Sequence, residues 1–272
     1  MKHYEAKLFN DHFQNFKSYN VPKAQLIIAD IPYNIGKNAY GSNPAWYKGG
    51  DNKNGESELA GTEFFDTDKD FRPAEFMHFC NRLMKPEPKN RGEAPAMIVF
   101  CEFEQQFYLI ELAKRYGLNN YINLVFRKNF SAQVLKANMR IVGNAEYGLL
   151  LYREKLPKFN NNEKMVFNVM DYEGENKPPK LHPTQKSVIL LKKLIELFTD
   201  PGEVVIDPVA GSGSTLLAAQ QLGRKSFGFE IKKNFHKDAC NLLKDDYTRI
   251  KEIDEFGFAK TAISKQQPIL FT

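Results

Sequence analysis

The chain has 272 residues, 42% hydrophobic and 26% charged, with 38 basic against 33 acidic residues and a net charge of +5. That apolar fraction excludes low-complexity disorder, and 14 prolines with 17 glycines exclude a coiled coil. A core of this size needs no disulfide staples, and the modest basic excess permits a nucleic-acid partner without demanding one.

Short apolar runs predict strands at Ala6–Phe9, Leu26–Ala29, Ala96–Cys101, Tyr121–Phe126, Tyr147–Tyr152, Val204–Ile206 and Ser226–Phe229. Most are continuous, not alternating, as in a sheet covered on both faces. Helical periodicity falls between them, at Ala74–Met84, Phe103–Tyr116, Lys186–Phe198, Ser214–Leu222 and Lys233–Leu243. The alternation predicts an α/β fold with a mostly parallel sheet. Two stretches break it. Asn34–Glu63 is a long Gly/Asn/Lys/Tyr-rich loop carrying Tyr40, Trp46 and Tyr47, read as a lid or a DNA-contacting loop. Arg153–Leu181 has little periodicity and reads as an irregular appendage to the sheet.

Cys80, Cys101 and Cys240 are far apart in sequence, and the five histidines are scattered without metal-ligand spacing. Reduced thiols and no metal are expected. The longest apolar run, Ala96–Cys101, is far short of a membrane span, and no apolar signal region opens the chain. A soluble, cytoplasmic protein is expected.

Two segments carry chemistry. Asp207-Pro208-Val209-Ala210-Gly211-Ser212-Gly213-Ser214-Thr215 follows a predicted strand and opens a predicted helix. Glycines at such a turn let a ligand approach the backbone, and the helix N-terminus offers free N–H groups. The next strand ends in Phe229-Glu230, with Glu230 17 residues beyond Gly213, near the spacing at which an acid meets ribose hydroxyls. A phosphate-binding P-loop would need a lysine that is missing, and the third glycine of a dinucleotide fingerprint is Leu216. A nucleoside without a pyrophosphate fits better, with Asp207 suited to a cationic or amino-acid moiety. The second segment, Asp30-Ile31-Pro32-Tyr33, ends the strand Leu26–Ala29. An exocyclic amine has two N–H donors: the Asp30 carboxylate can accept one and the Ile31 carbonyl the other, while Tyr33 can stack on the ring. A plain strand-terminating turn is the rival reading of the tetrapeptide alone.

Taken in order, Asp30-Ile31-Pro32-Tyr33, His182-Pro183-Thr184-Gln185-Lys186 and the Asp207–Thr215 loop resemble the motifs of S-adenosylmethionine-dependent DNA amino-methyltransferases of the permuted beta group. In that group the catalytic tetrapeptide precedes the cofactor loop. The resemblance covers most of the chain and includes Asn10-Asp11 and Phe229-Glu230. It implies a Rossmann-like methyltransferase fold, circularly permuted in motif order, as a single domain over residues 1–272. Its sheet would hold one antiparallel strand, Tyr147–Tyr152. The resemblance also implies that Asp30, Ile31, Pro32 and Tyr33 hold the target base, and that Asp30 also borders the cofactor. Asp207, Ala210, Gly211, Ser212, Gly213, Thr215 and Phe229 would line that cofactor, and Glu230 would bind its ribose. His182, Thr184, Gln185 and Lys186 would seat its methionine end, and Asp11 would approach its adenine. Ile31 replaces the usual first proline, which leaves the carbonyl but a less rigid turn. Ser187 replaces the proline that commonly follows the motif lysine, a neutral change.

The implied reaction is methylation of adenine N6 in duplex DNA by base flipping and direct attack, with S-adenosylhomocysteine as product. Cytosine N4 methylation and a catalytically inactive DNA-binding relative are the alternatives. Relatives acting on cytosine more often begin the tetrapeptide with Ser, and enzymes acting on glutamine or RNA usually carry Asn there. From Leu112 to Ala145 there is no Asp or Glu, and Lys114, Arg115, Arg127, Lys128, Lys136 and Arg140 give this stretch a net charge of +6. Arg127, Lys128, Lys136 and Arg140 are expected to contact DNA phosphates, within a small irregular target-recognition region at 128–144 and 153–181. Beyond duplex DNA, a second copy of the chain and a cognate restriction endonuclease stand as candidate partners. No membrane partner is expected.

Overall fold

The computed structural model describes residues 2–33, 71–128, 133–136, 141–172 and 185–256. The loop expected at 34–63 lies outside them. Eight strands form one sheet: β1 (Lys7–Phe9), β2 (Leu26–Asp30), β3 (Ala96–Cys101), β4 (Asn120–Lys128), β7 (Ala145–Tyr152), β8 (Val169–Tyr172), β9 (Val204–Asp207) and β10 (Lys225–Phe229). Their order is β1-β10-β9-β2-β3-β7-β4-β8. β7 runs antiparallel to both its neighbours, β3 and β4, and every other pairing is parallel. The sheet is therefore mostly parallel with one antiparallel strand, as expected, and that strand is the expected one. β5 (Gln133–Lys136) and β6 (Ile141–Gly143) form a separate antiparallel pair between β4 and β7.

The continuous apolar runs occupy the centre of the sheet, where both faces are covered. All six residues of β3 are buried, as are the first four of β2. One face carries Ile28, Ile98, Phe100, Phe126 and Leu150 against helices α3 (Val188–Phe198) and α4 (Ser214–Gln221). The other carries Ile27, Met97, Val99, Leu149 and Ile206 against α1 (Pro73–Leu83), α2 (Phe103–Arg115) and a 3-10 helix at Phe13–Tyr19. α5 (Lys233–Phe256) packs across the β1 side and runs beyond the Lys233–Leu243 stretch predicted from periodicity. Among the described residues no helix is long and apolar enough to cross a membrane.

The stretch Arg153–Leu181 is less irregular than expected, because β8 adds a parallel edge strand beside β4. Its first part is also tied to the far end of the sheet. Arg153 donates to the Lys85 carbonyl at 2.9 Å, Lys158 pairs with Glu203 at 3.1 Å, and Asn160 donates to the Thr199 carbonyl at 3.1 Å. Glu203 precedes β9, so residues 153–160 lie where the parallel strands begin. β8 then returns to the ends of the strands, and residues 173–184 lie outside the described set. β4 ends and β7 begins at the end of the sheet where β2, β3 and β9 finish.

Candidate active site

The carboxyl ends of β2, β9 and β10 open onto a cavity of about 250 Å³. Ligands of open α/β sheets sit at such ends, and connections that leave in different directions make the crevice. From β2 come Asp30, Ile31, Pro32 and Tyr33; from β9 and its following loop come Asp207, Ala210, Gly211, Ser212 and Thr215. β10 ends in Phe229 and Glu230, and Gln185 and Lys186 approach from the segment before α3. Two distant stretches of sequence thus share one wall.

The glycine loop folds as its residues demand. Gly213 caps α4 with φ +76°, and a Cβ there would meet the Ala239 Cβ at 3.2 Å. A left-handed cap with that close neighbour favours glycine. Gly213 shapes the loop without lining the cavity, whereas Ser214, unmarked in the sequence reading, does line it. Glu230 clasps the loop: its carboxylate accepts the Gly211 N–H at 2.9 Å and the Lys232 N–H at 2.7 Å. Burial pushes its pKa up, opposed by those two N–H groups. Asp207 is almost wholly buried and accepts the Val209 N–H at 3.1 Å. Burial pushes its carboxyl up to about 7 despite a hydrogen bond from Thr215. Such a group favours a cationic partner that restores its charge.

At the end of β2, Asp30 Oδ2 lies 2.9 Å from Lys186 Nζ, which also donates to the Tyr33 hydroxyl at 3.0 Å. Asp30 Oδ1 is buried and has no hydrogen-bond partner among the described residues. Burial raises the Asp30 pKa against the opposing pull of Lys186. For Lys186, burial alone would lower the pKa, but the Asp30 and Glu146 carboxylates hold it well above the usual range. Its ammonium thus pairs with two carboxylates while the residue lines the cavity.

Ile31 does not loosen the turn as expected. Its side chain is buried, its N–H donates to the Phe100 carbonyl, and the next carbonyl, of Pro32, accepts from Gln105 Nε2 at 2.9 Å. Gln105 also closes the capping box of α2, so the helix start and the tetrapeptide hold each other.

Several other expectations are corrected. Asp11 does not border the cavity. Its carboxylate accepts from the His12 N–H, the Asn15 side chain and the Tyr19 hydroxyl, bracing the 3-10 turn that His12 caps, while His12 and Phe13 line the cavity in its place. Lys128 is not an exposed phosphate contact, since it is buried and paired with Glu146. Arg127 is exposed but pairs with Asp171 at 2.7 Å. The side chains of Lys136, Arg140, His182 and Thr184 lie outside the described residues. Sequence reasoning missed Phe71, Ile231, Lys232 and Phe235 in the lining, and Glu146 behind it. For Glu146 a signal existed: it stands two and four residues before Gly148 and Leu150, on the buried face of a strand.

Comparison with known proteins agrees with this geometry. A protein-family model described as DNA methylase matches residues 24–241. The DNA adenine methyltransferase YhdJ of Escherichia coli is 28% identical over 88% of this chain and 83% of its own length. Among solved structures, the M1.HpyAVI–SAM complex superposes with a TM-score of 0.62 at 23% identity, over 88% of this chain and 98% of that one. The cytosine-N4-specific PvuII DNA methyltransferase gives 0.62 at 14% identity, over 92% and 93%. These structural likenesses speak to fold, and the family match speaks to kind: the chain belongs to the N6/N4 DNA methylase family.

Proposed function

We propose that the protein transfers a methyl group from S-adenosylmethionine to the N6 amine of an adenine flipped out of duplex DNA. One observation carries the choice of an amine substrate: Asp30 Oδ1, a buried oxygen without a partner among the described residues, on a residue that lines the cavity. A buried acceptor left unsatisfied costs about 1–3 kcal/mol. An amine N–H offered by a base removes that cost.

The residues present fit the cofactor. Glu230 stands at the end of β10, where a carboxylate can accept from ribose hydroxyls, and Asp207 suits a cationic amino group. Phe13, Phe71, Val209, Ile231 and Phe235 give the apolar walls that a planar ring needs. When bound, S-adenosylmethionine supplies an electrophilic methyl group on its sulfonium sulfur, passed to the attacking nitrogen with S-adenosylhomocysteine as product.

The chain's own residues do the rest. The base must leave the helix to reach a cavity at the strand ends, at a cost of a few kcal/mol. Stacking on Tyr33 returns about 1–3 kcal/mol. Asp30 Oδ1 and the Ile31 carbonyl accept the two amine hydrogens and draw the nitrogen lone pair out of the ring. A hydrogen bond to a charged acceptor contributes about 1.5–3 kcal/mol. Holding nitrogen and methyl in line contributes up to about 7–11 kcal/mol. The methylated nitrogen carries one extra proton, and the Asp30 carboxylate, made more basic by burial, is placed to take it. β4 finishes at this end of the sheet, and the segment that follows it, together with residues 173–181, is assigned to DNA recognition, with Lys136 and Arg140 on phosphates.

Adenine is preferred over cytosine because the tetrapeptide begins with Asp and because a relative similar over most of the chain is a DNA adenine methyltransferase. Modified-base sequencing of DNA from cells expressing the protein distinguishes the two. The expected product is N6-methyladenine in one sequence context; N4-methylcytosine in its place overturns the base assignment. The restriction-enzyme context remains a proposal supported by resemblance to type II methyltransferases such as M.HpaI of Haemophilus parainfluenzae, 25% identical over 251 residues.

A further inference from the structure

Two buried charges behind the end of β2 have no role in the reaction as described. Glu146 is the second residue of β7 and Lys128 the last of β4, and their side chains are 15% and 9% exposed. They are bonded to each other, and Glu146 Oε2 lies 3.3 Å from the Lys186 ammonium that holds Asp30 and Tyr33. Asp30, Lys186, Glu146 and Lys128 thus form a row of alternating charge.

Strand register explains why they meet. Asp30 pairs with Phe100, Phe100 with Gly148, and Glu146 with Phe126. Phe100 and Phe126 belong to the apolar face beneath α3. Each charged residue lies two residues beyond an apolar one on that face: Asp30 after Ile28, Glu146 before Gly148, Lys128 after Phe126. The row is therefore the apolar face continued past the ends of the strands. Gly148 keeps the rings close, since a Cβ there would lie 3.1 Å from the Phe126 ring.

The arrangement has a chemical consequence. An ammonium with Asp30 as its sole carboxylate would be drawn between both oxygens and would occupy the acceptor that the amine needs. A second carboxylate on the opposite side pulls it off that axis. Glu146 can serve only if it is ionised in a buried place. Burial pushes its pKa up, but Lys186 and Lys128 overcome this and hold it below the usual range. Without Lys128, two buried carboxylates would share one ammonium, and one of them would take a proton.

Building on the methyl-transfer reading, we infer that Glu146, held by Lys128, is a positioning residue: it anchors Lys186 against Asp30 Oδ2 and Tyr33, leaving Asp30 Oδ1 to the substrate amine. Lys128 also ends the strand that leads to the β5–β6 pair, so the same row links the root of that connection to the reacting end of β2.

The test compares wild type, Glu146→Gln, Lys186→Met and the double variant. Turnover on a methylatable duplex is measured beside KM and the calorimetric Kd for S-adenosylhomocysteine. Glu146→Gln is expected to lower kcat about 10–100-fold, as loss of a residue orienting a reactive group does. KM and product affinity should stay within about threefold, and the double variant should be no slower than Lys186→Met, because one residue acts through the other. A Glu146→Gln kcat near that of wild type, or losses that multiply in the double variant, overturns the inference. Should wild type methylate no DNA, the methyl-transfer reading fails, and a crystal structure of Glu146→Gln decides the positioning role. Lys186 swung to bridge both Asp30 oxygens supports it; Lys186 unmoved on Oδ2 and Tyr33 overturns it.

Discussion

Asp207 has a cost that pH exposes. Its carboxyl titrates near 7 in the folded chain because burial disfavours the charge, against 3.8 for the free side chain. A pKa raised by folding contributes stability that is fully present below about pH 4 and is lost as pH rises through 7. Asp207→Asn, which cannot ionise, is therefore expected to stay close to wild type at pH 4 and to exceed it by up to about 4 kcal/mol at pH 8 in the absence of cofactor. Urea melts at the two pH values check this, and a difference independent of pH rejects the cause. The same variant should bind cofactor more weakly. At this scale the sequence showed Asp30, Asp207 and Glu230 because each closes an apolar run, where an acid is conspicuous. It hid the fate of Lys128, whose partner Glu146 is 18 residues away and meets it only across the sheet. It hid Asp11 for the same kind of reason: the donors that occupy its carboxylate, from His12 to Tyr19, cluster only once the 3-10 turn forms.

Elements followed their patterns where burial was complete. β2, β3 and β9 are continuous apolar runs because both faces are covered, and their positions were legible. β5, β6 and β8 have three or four residues each, too few for a period to show, and β8 sits at an edge with Val169 exposed. The turn between β9 and α4 makes a sharper prediction. Gly213→Ala places a side chain at φ +76° and 3.2 Å from Ala239, so a loss of about 1–2 kcal/mol is expected, read as a lower urea midpoint at unchanged slope. The connection from β4 to β7 makes another. If Lys136 and Arg140 contact phosphates, Lys136→Gln with Arg140→Gln should lower the slope of log affinity against log salt by about 2 and leave cofactor binding unchanged. A slope equal to that of wild type would place the DNA path elsewhere.

The whole molecule is a sheet whose working end gathers charge and whose other end is sealed by structure. Residues 153–160 show the division: they read as part of a recognition region, yet Lys158 and Asn160 fasten them where the strands begin. The net charge of +5 is likewise uneven along the chain, since Leu112–Ala145 alone carries +6. A cavity assembled from β2, β9, β10 and the segment before α3 ties distant parts of the chain together. Product bound at about 100 times its Kd should therefore stabilise the fold by about 2.7 kcal/mol, visible as a higher melting temperature.

The central claim, amine methylation at Asp30, is tested most directly by incubating wild type and Asp30→Asn with duplex DNA and S-adenosylmethionine labelled on its methyl group. Label is expected on the DNA with wild type, and Asp30→Asn should fall at least about a hundredfold in turnover while still binding S-adenosylhomocysteine and melting as a folded protein. Label transferred equally well by Asp30→Asn would contradict the assignment.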